Sequence, residues 1–193
     1  MGRKGEAKRQ QIIDTAKRML LGNGLDRFAL RDVAERVGMT HGNLQYYFRT
    51  RNDLLVAIFD QEVAKYTEGM KEAIAATSSK RGRLGAILDS GFAQLRTPET
   101  ALWRTAISMA DHSKEMAAIL KKENDLYESV VARELKQIAP GLSPQRRLHI
   151  AKMIHAILDG LGSQFVHEDP ESADMRALES EIKAAIYALV EAQ

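Results

Sequence analysis

The sequence predicts an all-α chain of about nine helices: a small N-terminal three-helix unit, joined by a long helix to a larger helical region. Three observations predict this. Apolar residues recur at helical spacing from Ile12 to Leu189. Glycines, prolines and hydroxyl-bearing residues interrupt that pattern at helix-length intervals. No stretch alternates convincingly with the period of two that a half-buried strand requires.

The residues from Met1 to Ala7 carry Arg3 and Lys4, two glycines and no apolar periodicity, so they are expected to form a disordered basic arm. Such an arm is either an extra contact to phosphates or a minor groove, or a solvated terminus. The first helix is placed from Lys8 to Leu21, with Ile12, Ile13, Ala16, Met19 and Leu20 as its apolar stripe and Gly22-Asn23-Gly24 as its end. Lys8 and Arg9 stand at its start, where the free N–H groups of a helix disfavour cations. A neighbouring phosphate would explain them; a solvated charge pair is the competing reading.

Phe28 is expected to plug the core of the three-helix unit. From Leu30 to Phe48 the chain reads as helix, sharp turn and second short helix. Leu30, Val33, Ala34 and Val37 fall at i, i+3, i+4 and i+7. Gly38 offers a left-handed end, and Thr40 offers a hydroxyl to cap the next helix. In that helix Leu44, Tyr47 and Phe48 face inward. His41, Gly42, Asn43, Gln45 and Tyr46 are left outward, flanked by Arg36, Arg49 and Arg51. A polar, hydrogen-bonding face on a short helix among arginines is the chemistry of a recognition helix in a DNA major groove.

Thr50-x-x-Asp53 has the pattern of a capping box. It opens a long helix whose stripe runs through Leu54, Leu55, Ile58, Phe59, Val63, Tyr66, Met70 and Ile74 to about Ala76. After a polar break at 77–82, a helix from Arg83 to Leu95 turns Leu84, Ile87, Leu88, Gly91 and Leu95 to one side. Thr97 as cap and Pro98 at the first position predict the next start, before Leu102, Trp103, Ala106, Ile107, Met109 and Ala110. Ser113 starts a long helix with Met116, Ile119, Leu120, Tyr127, Val130, Val131 and Ile138 inward, stopped by Pro140-Gly141. Ser143-Pro144 opens another, with Leu148, Ala151, Ile154, Leu158, Leu161 and Phe165 inward. Gly160 and Gly162 lie within it, where small residues let another helix approach. Asp169-Pro170 breaks the chain before a last helix from Ala173 to Ala192, faced by Met175, Leu178, Ile182, Ala185, Ile186 and Leu189.

With 193 residues, 45% of them apolar, a packed core is within reach. The net charge of +2 says little, but its distribution says more. Up to Asp53 there are 11 Lys/Arg against 6 Asp/Glu; beyond it there are 17 against 20. The basic charge is collected where the helix-turn-helix pattern lies. The chain has no cysteine, which excludes disulfides, thiolate zinc sites and cysteine nucleophiles. No H-x₃-H or H-E-x-x-H spacing occurs, so no metal site and no cofactor are expected. No apolar run reaches the length of a membrane span, and a cytoplasmic location is expected.

Taken together, these residues strongly resemble the TetR family of bacterial transcriptional regulators. The resemblance rests on the first helix face, Gly24, Arg31-Asp32-Val33-Ala34, Gly38-Met39-Thr40, Leu44, Tyr47-Phe48, Arg51 and Leu54-Leu55. Asp159-Gly160-Leu161 resembles a more loosely shared C-terminal segment. The resemblance implies a DNA-binding domain at 8–53, with its motif at 30–48, and an effector-binding and dimerisation domain at 54–193. It implies phosphate contacts for Thr40, Tyr47 and Arg51. Asn43, Gln45 and Tyr46 are the expected base readers, with His41 close to backbone or base and Gly42 allowing close approach.

Two positions depart from the family pattern. Ala29 stands where a threonine is common, so a helix cap and a phosphate contact are either lost or taken over by Arg27 or Arg31. Gln45 stands where an aromatic residue is common, and glutamine can bond an adenine edge bidentately.

By the same resemblance a cavity forms in the second region. Tyr66, Phe92, Trp103 and Met109 are candidate lining residues, together with His112, Tyr127, His155 and Gln164. Plain core packing is the competing reading for each. Asp159 is a ligand partner, a helix contact or a solvated charge. The last two helices are expected to pair with a second copy. The implied function is a dimeric repressor released from a palindromic operator by a small molecule. An activator or a ligand-independent regulator is the alternative. An all-α enzyme is a remote one, because no nucleophile–base pair with a recognisable spacing can be assembled.

Overall fold

The computed structural model describes residues 2–191. Among them are nine helices and no strand: α1 (Arg3–Asn23), α2 (Leu30–Val37), α3 (His41–Tyr47), α4 (Arg51–Ala75), α5 (Lys80–Leu95), α6 (Thr100–Ala110), α7 (Lys114–Ile138), α8 (Pro144–Gln164) and α9 (Ala173–Glu191). The all-α expectation holds. The chain divides into two compact units. One runs up to Val63 and takes in Ala101–Ile119; the other comprises Ala64–Thr100 and the chain from Leu120 onward.

The first unit is centred on the stripe of α1. Ile12, Ile13 and Ala16 are almost fully buried, as are Val33 and Ala34 of α2, Leu44 of α3, and Leu54, Leu55, Ile58 and Phe59 of α4. Polar ties add to this core. The amides of Gln10 and Gln61 bond each other reciprocally at 3.1 and 2.7 Å. Lys17 pairs with the largely buried Glu62 at 2.7 Å.

Helix boundaries follow the capping residues. Gly38 ends α2 in the left-handed conformation at φ 71°. Thr40 Oγ1 accepts from Asn43 N at 3.2 Å and starts α3. The capping box at α4 is complete: Asp53 N donates to Thr50 Oγ1 at 3.0 Å, and Thr50 N donates to Asp53 Oδ2 at 2.9 Å. Removing one partner leaves a helix-start N–H without its acceptor. Thr50→Ala is therefore expected to lower unfolding stability by about 1 kcal/mol in urea melts. Ser113 Oγ and Ser143 Oγ cap α7 and α8 by accepting from Met116 N and Arg146 N, each at 3.2 Å.

Four expectations are corrected. The chain from Arg3 to Ala7 is the first turn and more of α1, not an arm; Met1 lies outside the described residues. Gly2 is extended, its carbonyl accepts from Gly5 N and Glu6 N, and Glu6 complements the positive end of the helix. Helix α5 begins at Lys80 rather than Arg83, because Ser79 Oγ caps Gly82 N at 2.9 Å. Helix α6 begins at Thr100, not Pro98. The hydroxyls of Thr97 and Thr100 both donate to the Gln94 carbonyl, at 2.8 and 2.7 Å, and so close α5 instead of opening α6. Phe165 sits past the end of α8 and is 40% exposed, because the helical stripe has run out there.

The second unit has its own core. Met70 and Ile74 of α4, Leu84, Ile87 and Leu88 of α5, Val130, Val131 and Leu135 of α7, Ile150 and Ile154 of α8, and Ile186 and Val190 of α9 are its buried members. Helices α5 and α8 approach closely at Gly91, where a Cβ would stand 2.4 Å from Leu158 Cδ1. At Gly162 a Cβ would meet Leu95 Cδ2 at 3.1 Å, whereas Gly160 faces open space. The close approach expected of these two α8 glycines is thus found at one of them.

Candidate nucleic-acid interface and effector site

Helix α3 presents the face that its periodicity predicts. Leu44 and Phe48 are buried, while His41, Gly42, Asn43 and Gln45 are exposed. Tyr46 is 78% exposed, an unusual position for a large aromatic side chain. Tyr47 is half-buried, its ring edge-on to Tyr46 with centroids 5.3 Å apart. The Thr40 hydroxyl uses a lone pair to cap α3, and its proton plays no part in that bond.

The surrounding cations have structural partners. Lys8 Nζ donates to the Val37 carbonyl at 3.3 Å and to Gln11 Oε1 at 3.1 Å. It lies at the negative end of α2, where a cation is favourable. The Arg51 guanidinium donates to the Leu25 carbonyl and stands 5.9 Å from the centre of the Phe28 ring. Arg9 lies 5.0 Å from the Phe48 ring centre. Arg31 is exposed on α2. Ala29 is extended and caps α2 with no side-chain bond, as its methyl group requires.

The eight residues selected for the effector cavity are divided between the two units. Trp103, Met109 and His112 belong to the first unit. Trp103 packs with its ring 6.4 Å from that of Phe59, and His112 is exposed in the turn after α6. Gln164 is exposed at the last residue of α8. Phe92 lines a hollow of about 30 Å³ with Leu95, Arg96 and Met175, room for little more than one water, and Lys183 stands 5.2 Å from its ring centre.

Tyr66, Tyr127 and His155 do come together, in the second unit. The rings of Tyr66 and Tyr127 lie within 14° of parallel at 6.3 Å, and His155 is 4.6 Å from Tyr127. Two carboxylates join them. Glu123 Oε2 and Asp159 Oδ2 approach His155 Nε2 at 3.6 and 3.7 Å, both too long for hydrogen bonds. Glu123 is buried on the inner face of α7, and burial pushes its carboxyl up to about 8, helped by the negative charges of Asp159 and Glu128. Burial also raises Asp159, against the lowering influence of His155. Both tyrosines are raised, first by burial; Glu123 and Asp159 raise both further, Tyr66 raises Tyr127, and Tyr127 lowers Tyr66. The Tyr127 hydroxyl is enclosed and makes no hydrogen bond.

Glu123 was missed as a site residue from sequence. Its signal was its place four residues after Ile119 and four before Tyr127, on a face otherwise apolar.

Among the described residues no group of three His, Asp or Glu is placed to hold a metal ion, and no helix is long and apolar enough to cross a membrane. Comparison with known proteins covers most of the chain. Residues 12–58 match bacterial regulatory proteins of the tetR family, and residues 80–190 match the C-terminal region of BetI-type transcriptional repressors. The HTH-type transcriptional regulator BetI of Yersinia pestis (strain Pestoides F) is 27% identical over 158 residues, 80% of this chain and 78% of that protein. The fatty acid metabolism regulator protein of Bacillus subtilis (strain 168) is 22% identical over 182 residues, 91% of each. A crystal structure of a transcriptional regulator from Saccharomonospora viridis in complex with choline shares the fold, with a TM-score of 0.78, 17% identity and 96% of each chain covered.

Proposed function

The chain belongs to the TetR family of bacterial regulatory proteins, and on that premise we propose that it is a dimeric transcriptional repressor, released from a palindromic operator by a small-molecule effector. The observation that carries the DNA-binding half is the outward face of α3. Five of its seven residues are exposed, and four of these, His41, Asn43, Gln45 and Tyr46, are polar or aromatic. Asn43, Gln45 and Tyr46 are proposed to read bases, with His41 and Gly42 beside the backbone. Thr40 and Tyr47 donate to phosphates and fix register. Lys8 and Arg51, whose charges already serve the Val37 and Leu25 carbonyls, act chiefly by holding the reading head together, and Arg31 is an exposed cation of α2 able to take a phosphate.

The functional division is proposed at 8–53 for DNA binding and 54–193 for effector binding and dimerisation. Support for a dimer comes from α8 and its end, where Met153, Ile157, Phe165 and Val166 are large apolar side chains left exposed. Helix α9 buries only Ile186 and Val190. One short recognition helix reads few base pairs, whereas a two-fold pair offers two, roughly 34–36 Å apart.

The effector is proposed to bind in the second unit, around Tyr66, Tyr127 and His155. The choline held by a solved neighbour supports an organic molecule of small size in this fold. Helix α4 runs unbroken from Arg51 through Tyr66, so a ligand that displaces Tyr66 shifts the start of the helix. It changes operator affinity only by as much as it prefers one arrangement over the other.

A mobility shift with fragments upstream of the protein's own gene and its neighbours, at two salt concentrations, tests the reading. The expected result is sequence-selective binding that weakens steeply as salt rises. Binding without selectivity, or none, contradicts it.

A further inference from the structure

The Tyr66–Glu123–Tyr127–His155–Asp159 cluster is polar chemistry left unsatisfied beside an apolar core, and we propose that it is the subsite for the charged end of a small protonated amine. This rests on the effector-responsive reading above and names the class of effector.

Three observations carry it. The Tyr127 hydroxyl is enclosed without a partner on a residue only 2% exposed, an arrangement native cores avoid unless something fills the gap. The Glu123 and Asp159 carboxylates converge on one imidazole nitrogen at 3.6 and 3.7 Å, within ion-pair range but beyond hydrogen-bond range. Glu123 can take one hydrogen bond, from the Asn124 amide at 2.9 Å once that amide is turned over, and so keeps unused acceptor capacity. The third is access. The Asp159 side chain is 54% exposed and that of Glu123 11%, so an acidic line leads from the surface inward to the tyrosine.

What would satisfy these groups follows from their chemistry. An anion gains no fixed positive charge from two carboxyl groups, and a fatty chain leaves them without partners. They accept hydrogen bonds and attract positive charge, which an ammonium group with N–H donors supplies at once. The ring of Tyr127 already lies against Tyr66 and His155, so the site is not a box of open aromatic faces, the usual host of a quaternary ammonium. The nearby Lys152 is paired with Glu128 at 2.9 Å and stands on the exposed face of α8. The arriving cation favours the ionised form of Glu123, so binding releases a proton and strengthens as pH rises.

Calorimetric titration of the full chain with n-butylamine, 1-butanol and tetramethylammonium at equal ionic strength tests this. The amine is expected to bind, with proton release and an affinity rising severalfold from pH 6.5 to 7.5, while the alcohol and the quaternary ion bind at least tenfold more weakly. Glu123→Gln should weaken the amine at least tenfold. Asp159→Asn, at the exposed rim, should weaken it severalfold and serves if the buried variant fails to fold. Equal binding of butanol or tetramethylammonium, no binding of any of the three, or unchanged affinity in the folded variants overturns the proposal. A protein that shifts operator DNA selectively yet takes no amine refutes this subsite alone. One that takes the amine as described but binds no DNA selectively refutes the regulator reading alone.

Discussion

Glu123→Gln makes the protein more stable than wild type above pH 8 and leaves it about equal near pH 5. The sign follows from burial. In the folded protein the carboxyl stays protonated up to about pH 8, because burial and the charges of Asp159 and Glu128 disfavour its ionised form. In the unfolded chain it ionises near its ordinary value of 4.5. Between these values the folded state holds a proton that the unfolded state has lost. Wild-type stability therefore falls as pH rises through that window, by up to about 1.4 kcal/mol per unit, or on the order of 5 kcal/mol across it. Glutamine cannot ionise, so this part of the slope disappears. Urea melts of both proteins from pH 5 to 9 read the difference. Parallel curves would mean that Glu123 ionises in the folded protein at its ordinary value.

Gln45→Ala changes which base is preferred at one position of the binding site, by roughly 1–3 kcal/mol. Tyr47→Phe weakens binding to all sites alike. The contrast follows from geometry. Gln45 is fully outward on α3, and its amide can match a base edge. Tyr47 is half-buried, and its hydroxyl donates at most to a phosphate, which carries no sequence information. Affinities of both variants for a panel of single-base changes separate the two behaviours. A uniform loss for Gln45→Ala would remove that residue from the base readers.

The reading head was legible because its signals are local. The spacing of Leu44 and Phe48 decides which side chains of α3 point out, and Gly38, Thr40, Thr50 and Asp53 mark its limits with their own backbone bonds. Thr97 shows how such a signal misleads. A threonine before a proline resembles a helix cap, but its hydroxyl found the preceding helix's Gln94 carbonyl first. The residues from Arg3 to Ala7 misled in the opposite sense: without apolar spacing they still extend α1, since a helix already nucleated needs no buried face to gain another turn.

The effector region was legible only in part. Helical spacing reports which face a residue occupies, not which compact unit that face joins, so Trp103 and His112 were grouped with residues of the other unit. Aromatic and histidine side chains at helical spacing pick out Tyr66, Tyr127 and His155, whose rings lie together, but not Glu123, a carboxylate on an apolar stripe. Lys8 and Arg51 were chosen for their charge, and their carbonyl partners depend on the packing of elements 26 to 29 residues away.

If the outward face of α3 reads DNA as one half of a symmetric pair, selection of binding sites from a random duplex library with the purified full chain enriches an inverted repeat. Its half-sites are centred about one helical turn, or a multiple of it, apart. Recovery of sequences with no enriched motif, or of a single unrepeated half-site bound by a monomer, would contradict that reading.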